Sequence, residues 1–108
     1  MKATTRDVND IATIKVDGKI TIGAGDQQLR DVIAGASSNK ILLDLSGVTT
    51  IDSSGIGELV GSYTTVTNKG GKLKLLHLPA KLNELLHVTQ LITVFEVYEN
   101  EQEAIASF

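Results

Sequence analysis

At 108 residues with 42% hydrophobic content, the chain has the size of one compact domain with one core, spanning residues 1–108, and no second domain is expected. A net charge of −3 and a pI near 5.2, with ten Lys and Arg scattered along the chain, argue against nucleic-acid binding, which needs clustered cations. The lack of Cys removes disulfides, thiolate nucleophiles and cysteine-ligated metals. No apolar stretch is long enough to span a bilayer, and no signal-type core follows Met1-Lys2-Ala3-Thr4-Thr5-Arg6, so the expectation is a cytoplasmic protein without membrane association.

Ile11 to Val16 and Lys19 to Ile22 are β-prone runs separated by Asp17-Gly18, a dipeptide typical of tight turns, which predicts an N-terminal hairpin. Thr4 to Val8 is a weaker strand candidate, interrupted by Asn9-Asp10. After Gly23-Ala24-Gly25, the residues Leu29, Val32, Ile33 and Ala36 recur at helical spacing until Ser37-Ser38-Asn39. Ile41-Leu42-Leu43-Asp44-Leu45 is nearly continuous in apolar character, as expected of a central strand covered on both faces.

A loop from Ser46 to Asp52 then leads to a second helix, whose apolar stripe of Ile56, Leu59, Val60, Tyr63 and Val66 ends at Asn68-Lys69-Gly70-Gly71. Lys72 to Leu78 reads as a strand. Pro79 opens a third helix carrying Leu82, Leu85 and Leu86, and Thr93 to Tyr98 reads as a last strand. Asn100 and Glu103 form an N-cap pair for a final helix with Ala104, Ile105 and Phe108 on one face. The order predicts an α/β fold: an N-terminal β-hairpin, then alternating helices and strands, giving a mixed sheet with helices packed on it.

The segment with most chemical content is Thr50-Ile51-Asp52-Ser53-Ser54-Gly55-Ile56-Gly57, which puts a hydroxyl pair where the second helix begins. A helix start offers unpaired N–H groups and the positive end of the macrodipole, so a phosphate on a seryl hydroxyl there is electrostatically tolerated. Asp52 fits an N-cap, Ser54 a first-turn helix residue, Gly55 and Gly57 close packing or a partner's approach, and Ile56 core or interface. No G-x-S-x-G elbow surrounds Ser53, so it is read as a covalent switch and not as a catalyst.

The run Ile41-Leu42-Leu43-Asp44-Leu45-Ser46-Gly47-Val48-Thr49-Thr50-Ile51-Asp52-Ser53-Ser54-Gly55-Ile56-Gly57, followed by Gly70-Gly71-Lys72-Leu73-Lys74-Leu75, resembles the STAS domain of anti-sigma factor antagonists. The similarity covers essentially the whole chain, with Asp-Ser-Ser-Gly-Ile-Gly its most specific part and the Pro79 helix in the right order. The resemblance implies a STAS-type fold and a partner switch in bacterial transcription regulation. The unmodified chain would bind an anti-sigma factor that is also a serine kinase, releasing a sigma factor, and phosphorylation would reverse that binding. Ser53 is the implied phosphoacceptor, and Asp52, Ser53, Ser54, Gly55, Ile56 and Gly57 form the implied partner surface. A metal-dependent serine/threonine phosphatase would restore the binding form. The chain would be a substrate and ligand, a monomer when free, with no catalytic residues, metal or cofactor of its own.

One departure stands out. Many antagonists carry a Gly-Glu-Leu-Asp type acidic pair after the N-terminal hairpin, where this chain has Gly18-Lys19-Ile20-Thr21. Two other roles follow: a constitutive scaffold subunit of a stressosome-like or transporter-associated complex, and a nucleotide-sensing module using the Gly23–Gly25 turn. That turn is short and lacks the further glycine or Lys of known phosphate loops, so a plain strand-to-helix turn is the simpler reading. His77 and His87 lack any neighbouring ligand pattern, and the acids Asp7, Asp10, Asp17, Asp26 and Asp31 read as a solvated surface.

Overall fold

The computed structural model describes residues 1–108. Five strands, β1 (Lys2–Val8), β2 (Ile11–Ile20), β3 (Lys40–Ile51), β4 (Lys72–Leu76) and β5 (Val97–Tyr98), form one sheet in sequential order. β1 and β2 are antiparallel, and the other neighbours are parallel. The helices are α1 (Asp26–Ala34), α2 (Ser53–Asn68), α3 (Ala80–Val88) and α4 (Glu101–Ala106). β3 is the central strand, as its apolar run predicts, and the mixed α/β architecture agrees with the sequence reading. No helix is long and apolar enough to cross a membrane.

The hairpin is displaced from its predicted position. Its turn is Asn9-Asp10, with φ of 51° and 65°, the left-handed pair that a two-residue hairpin turn requires and that Asn and Asp tolerate. Thr4 to Val8 therefore lies in a full edge strand. Asp17-Gly18 sits inside β2, where Gly18 at φ 99° absorbs a register shift against β3, and Lys19 and Ile20 go on to pair with Thr50 and Ile51. Such a bulge uses the same backbone freedom as a turn, so local composition does not separate the two.

Ser46 to Ile51 is strand and not loop: buried Val48 and Ile51 anchor the extension of β3 against the extension of β2. β4 stops at Leu76 because His77 turns out at φ 55°. The last strand shrinks to Val97–Tyr98, preceded by a 3-10 turn at Leu91–Thr93 and buried Phe95. Pro79 is the N-cap of α3 rather than its first residue.

The two faces of the sheet are unequal. On one, α1, α2 and α3 bury a cluster of 18 residues that includes Ile14, Ile20, Leu29, Leu43, Leu59, Leu75 and Leu86. Each fully buried aliphatic side chain contributes about 1.5–3 kcal/mol, so this face dominates stability. The other face carries a hydrophobic cluster of only four buried residues, Ile11, Leu42 and Leu76 of the strands with Ala104 of the short α4. The C-terminal end of β3, the start of α2 and the β2–α1 connection all meet at one edge of the large core.

Candidate functional site

α2 begins at Ser53 because Asp52 caps it from an extended conformation, φ −116° and ψ −172°, its Oδ1 accepting from the Gly55 N–H at 3.0 Å. The other oxygen, Oδ2, accepts from the Ile22 N–H of the β2–α1 connection, also at 3.0 Å. One carboxylate thus joins two segments that are thirty residues apart. The Ile22 and Gly55 amides, with lesser help from Ser54, hold the Asp52 carboxyl below the usual range, so it stays ionised through neutral and mildly acidic pH.

Ser53 is exposed, and its hydroxyl makes no hydrogen bond within the chain. Ser54 differs sharply: it is half-buried and donates to Asp26 Oδ2 at 2.9 Å, while Asp26 Oδ1 accepts from the Gln27 N–H at 2.8 Å. One turn further on, Glu58 forms a bidentate pair with Arg30, Nε to Oε2 at 3.0 Å and Nη2 to Oε1. Each partner stabilises the other's charge, raising the Arg30 pKa and lowering that of Glu58. Ser54–Asp26 and Glu58–Arg30 are thus two rungs between α2 and α1.

The implied partner surface divides on inspection. Gly55 is buried: a Cβ there would lie 2.1 Å from Ile20 O and 2.8 Å from Ile51 Cγ1, so its bare Cα lets α2 pack on the ends of β2 and β3. Of the two readings of Gly55, close packing is the one that this geometry supports. Ile56 is half-buried and packed on the core, Asp52 is partly exposed, and Ser53 and Gly57 are exposed. Ile22, which sequence reasoning does not single out, stands 77% exposed beside Asp52, whereas Ile56 falls on the core side of its two readings.

Asp26, which by sequence reads as one of several solvated acids, orients Ser54, and no local pattern connects positions 26 and 54. Thr21 and Ala24 exchange backbone hydrogen bonds of 2.8 and 2.9 Å, and a Cβ on Gly25 would meet Lys19 O at 2.0 Å, so Gly23–Gly25 forms a closed strand-to-helix turn. His77 and His87 are apart: His77 Nδ1 lies 3.9 Å from Glu99, and His87 Nδ1 lies 2.7 Å from Asn83 O.

A family model described as the STAS domain matches residues 2–104. The "Anti-sigma F factor antagonist" of Paenibacillus polymyxa is 24% identical over 98 residues, covering 88% of this chain and 84% of that protein. The crystal structure of a Thermotoga maritima protein aligns with a TM-score of 0.87 at 24% identity, over 97% of this chain and 92% of that one. SpoIIAA, a Bacillus cell fate determinant solved in its phosphorylated form, aligns at 0.74 with 20% identity, over 98% of each chain.

Proposed function

The chain belongs to the STAS domain family, and from that premise we propose that it is an anti-sigma factor antagonist whose binding surface is switched by phosphorylation of Ser53. The observation that carries this reading is the contrast between two adjacent serines: Ser53 presents an unengaged hydroxyl to solvent, while Ser54 is held by Asp26. The name of the Paenibacillus relative supports the antagonist role, and the phosphorylated form of SpoIIAA supports control by phosphate on this fold.

In the binding form, Ile22, Ser53 and Gly57 offer a small, nearly neutral surface beside the Asp52 carboxylate. The partner is an anti-sigma factor with serine kinase activity, and capture of that partner releases its sigma factor. The kinase transfers the γ-phosphoryl group of a nucleoside triphosphate to Ser53 Oγ, whose proton is lost to solvent or a kinase base. The phosphate adds about −1.5 to −2 charge next to Asp52. Because Asp52 already occupies the Ile22 and Gly55 amides, the new charge is only partly offset by the helix dipole. Desolvating two adjacent anions against an apolar or acidic partner surface is costly, so affinity falls without refolding. A metal-dependent serine/threonine phosphatase hydrolyses the ester and restores binding. Lys19 and Thr21, at the position of the usual acidic pair, favour a partner whose facing edge is less basic than usual.

The test is affinity capture from a lysate of the source organism with wild type, Ser53→Ala and Ser53→Asp as baits, with mass spectrometry of bound proteins and of bait phosphopeptides. The expected result is an ATPase-fold kinase on wild type and Ser53→Ala, its loss on Ser53→Asp, and phosphate mapped to Ser53. Equal recovery on all three baits with Ser53 unmodified overturns the switch and leaves a constitutive scaffold.

A further inference from the structure

A groove of about 520 Å³ runs between the C-terminal half of α1 and the outer side of α2, within the roughly 300–1,000 Å³ range of small-molecule sites. Ile33, Ile41 and Val66 give it an apolar floor. Gly57 and Gly61, one turn apart on α2, border it, and a Cβ on either would meet no atom within 4 Å. Internal packing therefore gives no reason for two glycines in a helix, where glycine is destabilising. Their absent side chains keep the groove open.

A second observation is independent of the glycines. Ser62 is only 6% exposed, lines the groove, and its hydroxyl has no hydrogen-bond partner within the chain. The Ser62 oxygen is not sealed in, since Thr13 Oγ1 is the one buried side-chain polar atom without a partner, so Ser62 offers the groove a free donor and acceptor on an otherwise buried residue. Charge narrows what would use them. Arg30 at one end is neutralised by Glu58, whereas Lys69 at the other end has no carboxylate within salt-bridge distance. The groove thus carries one uncompensated cation, about 10 Å along the helix from Ser62 by the rise per residue.

We propose that this groove binds a small organic monoanion: an apolar body over Ile33, Ile41 and Val66, an acid group at Lys69, and a hydrogen-bonding atom at Ser62. The site shares only Gly57 with the Ser53 surface, and the proposal does not depend on phosphorylation.

The test uses a matched pair of fluorescent probes, the aromatic sulfonate 8-anilinonaphthalene-1-sulfonate and its uncharged analogue N-phenyl-1-naphthylamine, with amide chemical-shift mapping of the labelled chain. The sulfonate should bind saturably, about tenfold or more tighter than the neutral analogue, and shift the amides of Gly57, Gly61, Ser62 and Thr65. Lys69→Glu should erase the preference for the anion. Gly61→Leu, whose Cβ would meet no atom within 4 Å and whose remaining carbons would occupy the groove, should abolish binding of both probes while the melting temperature is kept or raised. Absence of saturable binding, equal affinity for the two probes, shifts mapping elsewhere, or wild-type binding by both variants would each overturn the proposal.

Discussion

Asp52 shows how one residue can be both legible and underestimated. Its capping role follows from position alone, because an acid before an apolar stripe is a standard helix start. Its bond to the Ile22 amide does not, since no local pattern reports a partner thirty residues away. The two amides depress its pKa, so its stabilising effect is complete above the ordinary carboxyl range and is lost as pH falls through the lowered folded value. Acid titration followed by NMR should therefore show the Ile22 and Gly55 amides moving together, at a pH below that of an exposed Asp. Asp52→Ala should abolish the transition and lower the melting temperature. Ile22 supplies the complementary test. It is exposed, so Ile22→Ser should leave the melting temperature within about 2–4 °C of wild type, as for most surface substitutions. The same change should weaken capture of the proposed partner about tenfold or more, read by titration calorimetry. Unchanged affinity would remove Ile22 from the interface.

At the scale of elements, α2 carries glycines of opposite meaning, and the sequence could not tell them apart. Gly55 has backbone atoms of Ile20 in the space a Cβ would fill, so Gly55→Ala forces α2 off the sheet and should cost about 1–3 kcal/mol or more. Gly61 faces open space in a regular helix, so Gly61→Ala should stabilise by about 0.5–1 kcal/mol. Chemical denaturation of the two variants gives both signs, and a destabilised Gly61→Ala would contradict the open groove. The same limit explains the misplaced hairpin. Asn9-Asp10 and Asp17-Gly18 both tolerate positive φ, and only long-range pairing, with β1 on one side of β2 and β3 on the other, decides which becomes the turn and which the bulge. By contrast, β3 and α2 were legible because an apolar run and a period near 3.6 are local properties that the core reinforces. Asn100 likewise caps α4 as its side chain suggests, accepting from the Glu103 N–H at 3.0 Å.

For the molecule as a whole, the asymmetry of the two sheet faces sets the order in which it opens. A hydrophobic cluster of eighteen buried residues joins α1, α2 and α3 to one face, whereas α4 shares a cluster of only four with the other and is tied there by Lys74, whose side chain is 4% exposed. Its ammonium donates to Ser107 O and Oγ, each at 2.9 Å, lies 3.4 Å from Glu96 Oε2, and stands 4.8 Å from the centroid of the Phe108 ring. The alternating pattern of β4 places Lys74 on the α4 face, but nothing in sequence indicates that a lysine there is buried, because its partners come from the last helix. Small clusters at a domain's margin detach at lower free energy than the main core. Hydrogen exchange should therefore find the α4 amides opening well before those of β3. Lys74→Ala removes the ammonium and its stem together, and should strip protection from α4 while the β3 amides lose far less. A uniform fall across α4 and β3 would mean instead that α4 belongs to the same cooperative unit as the main core. Selective loss would leave the Ser53 surface intact, because α2 and the Asp52 bridge rest on the opposite face of the sheet.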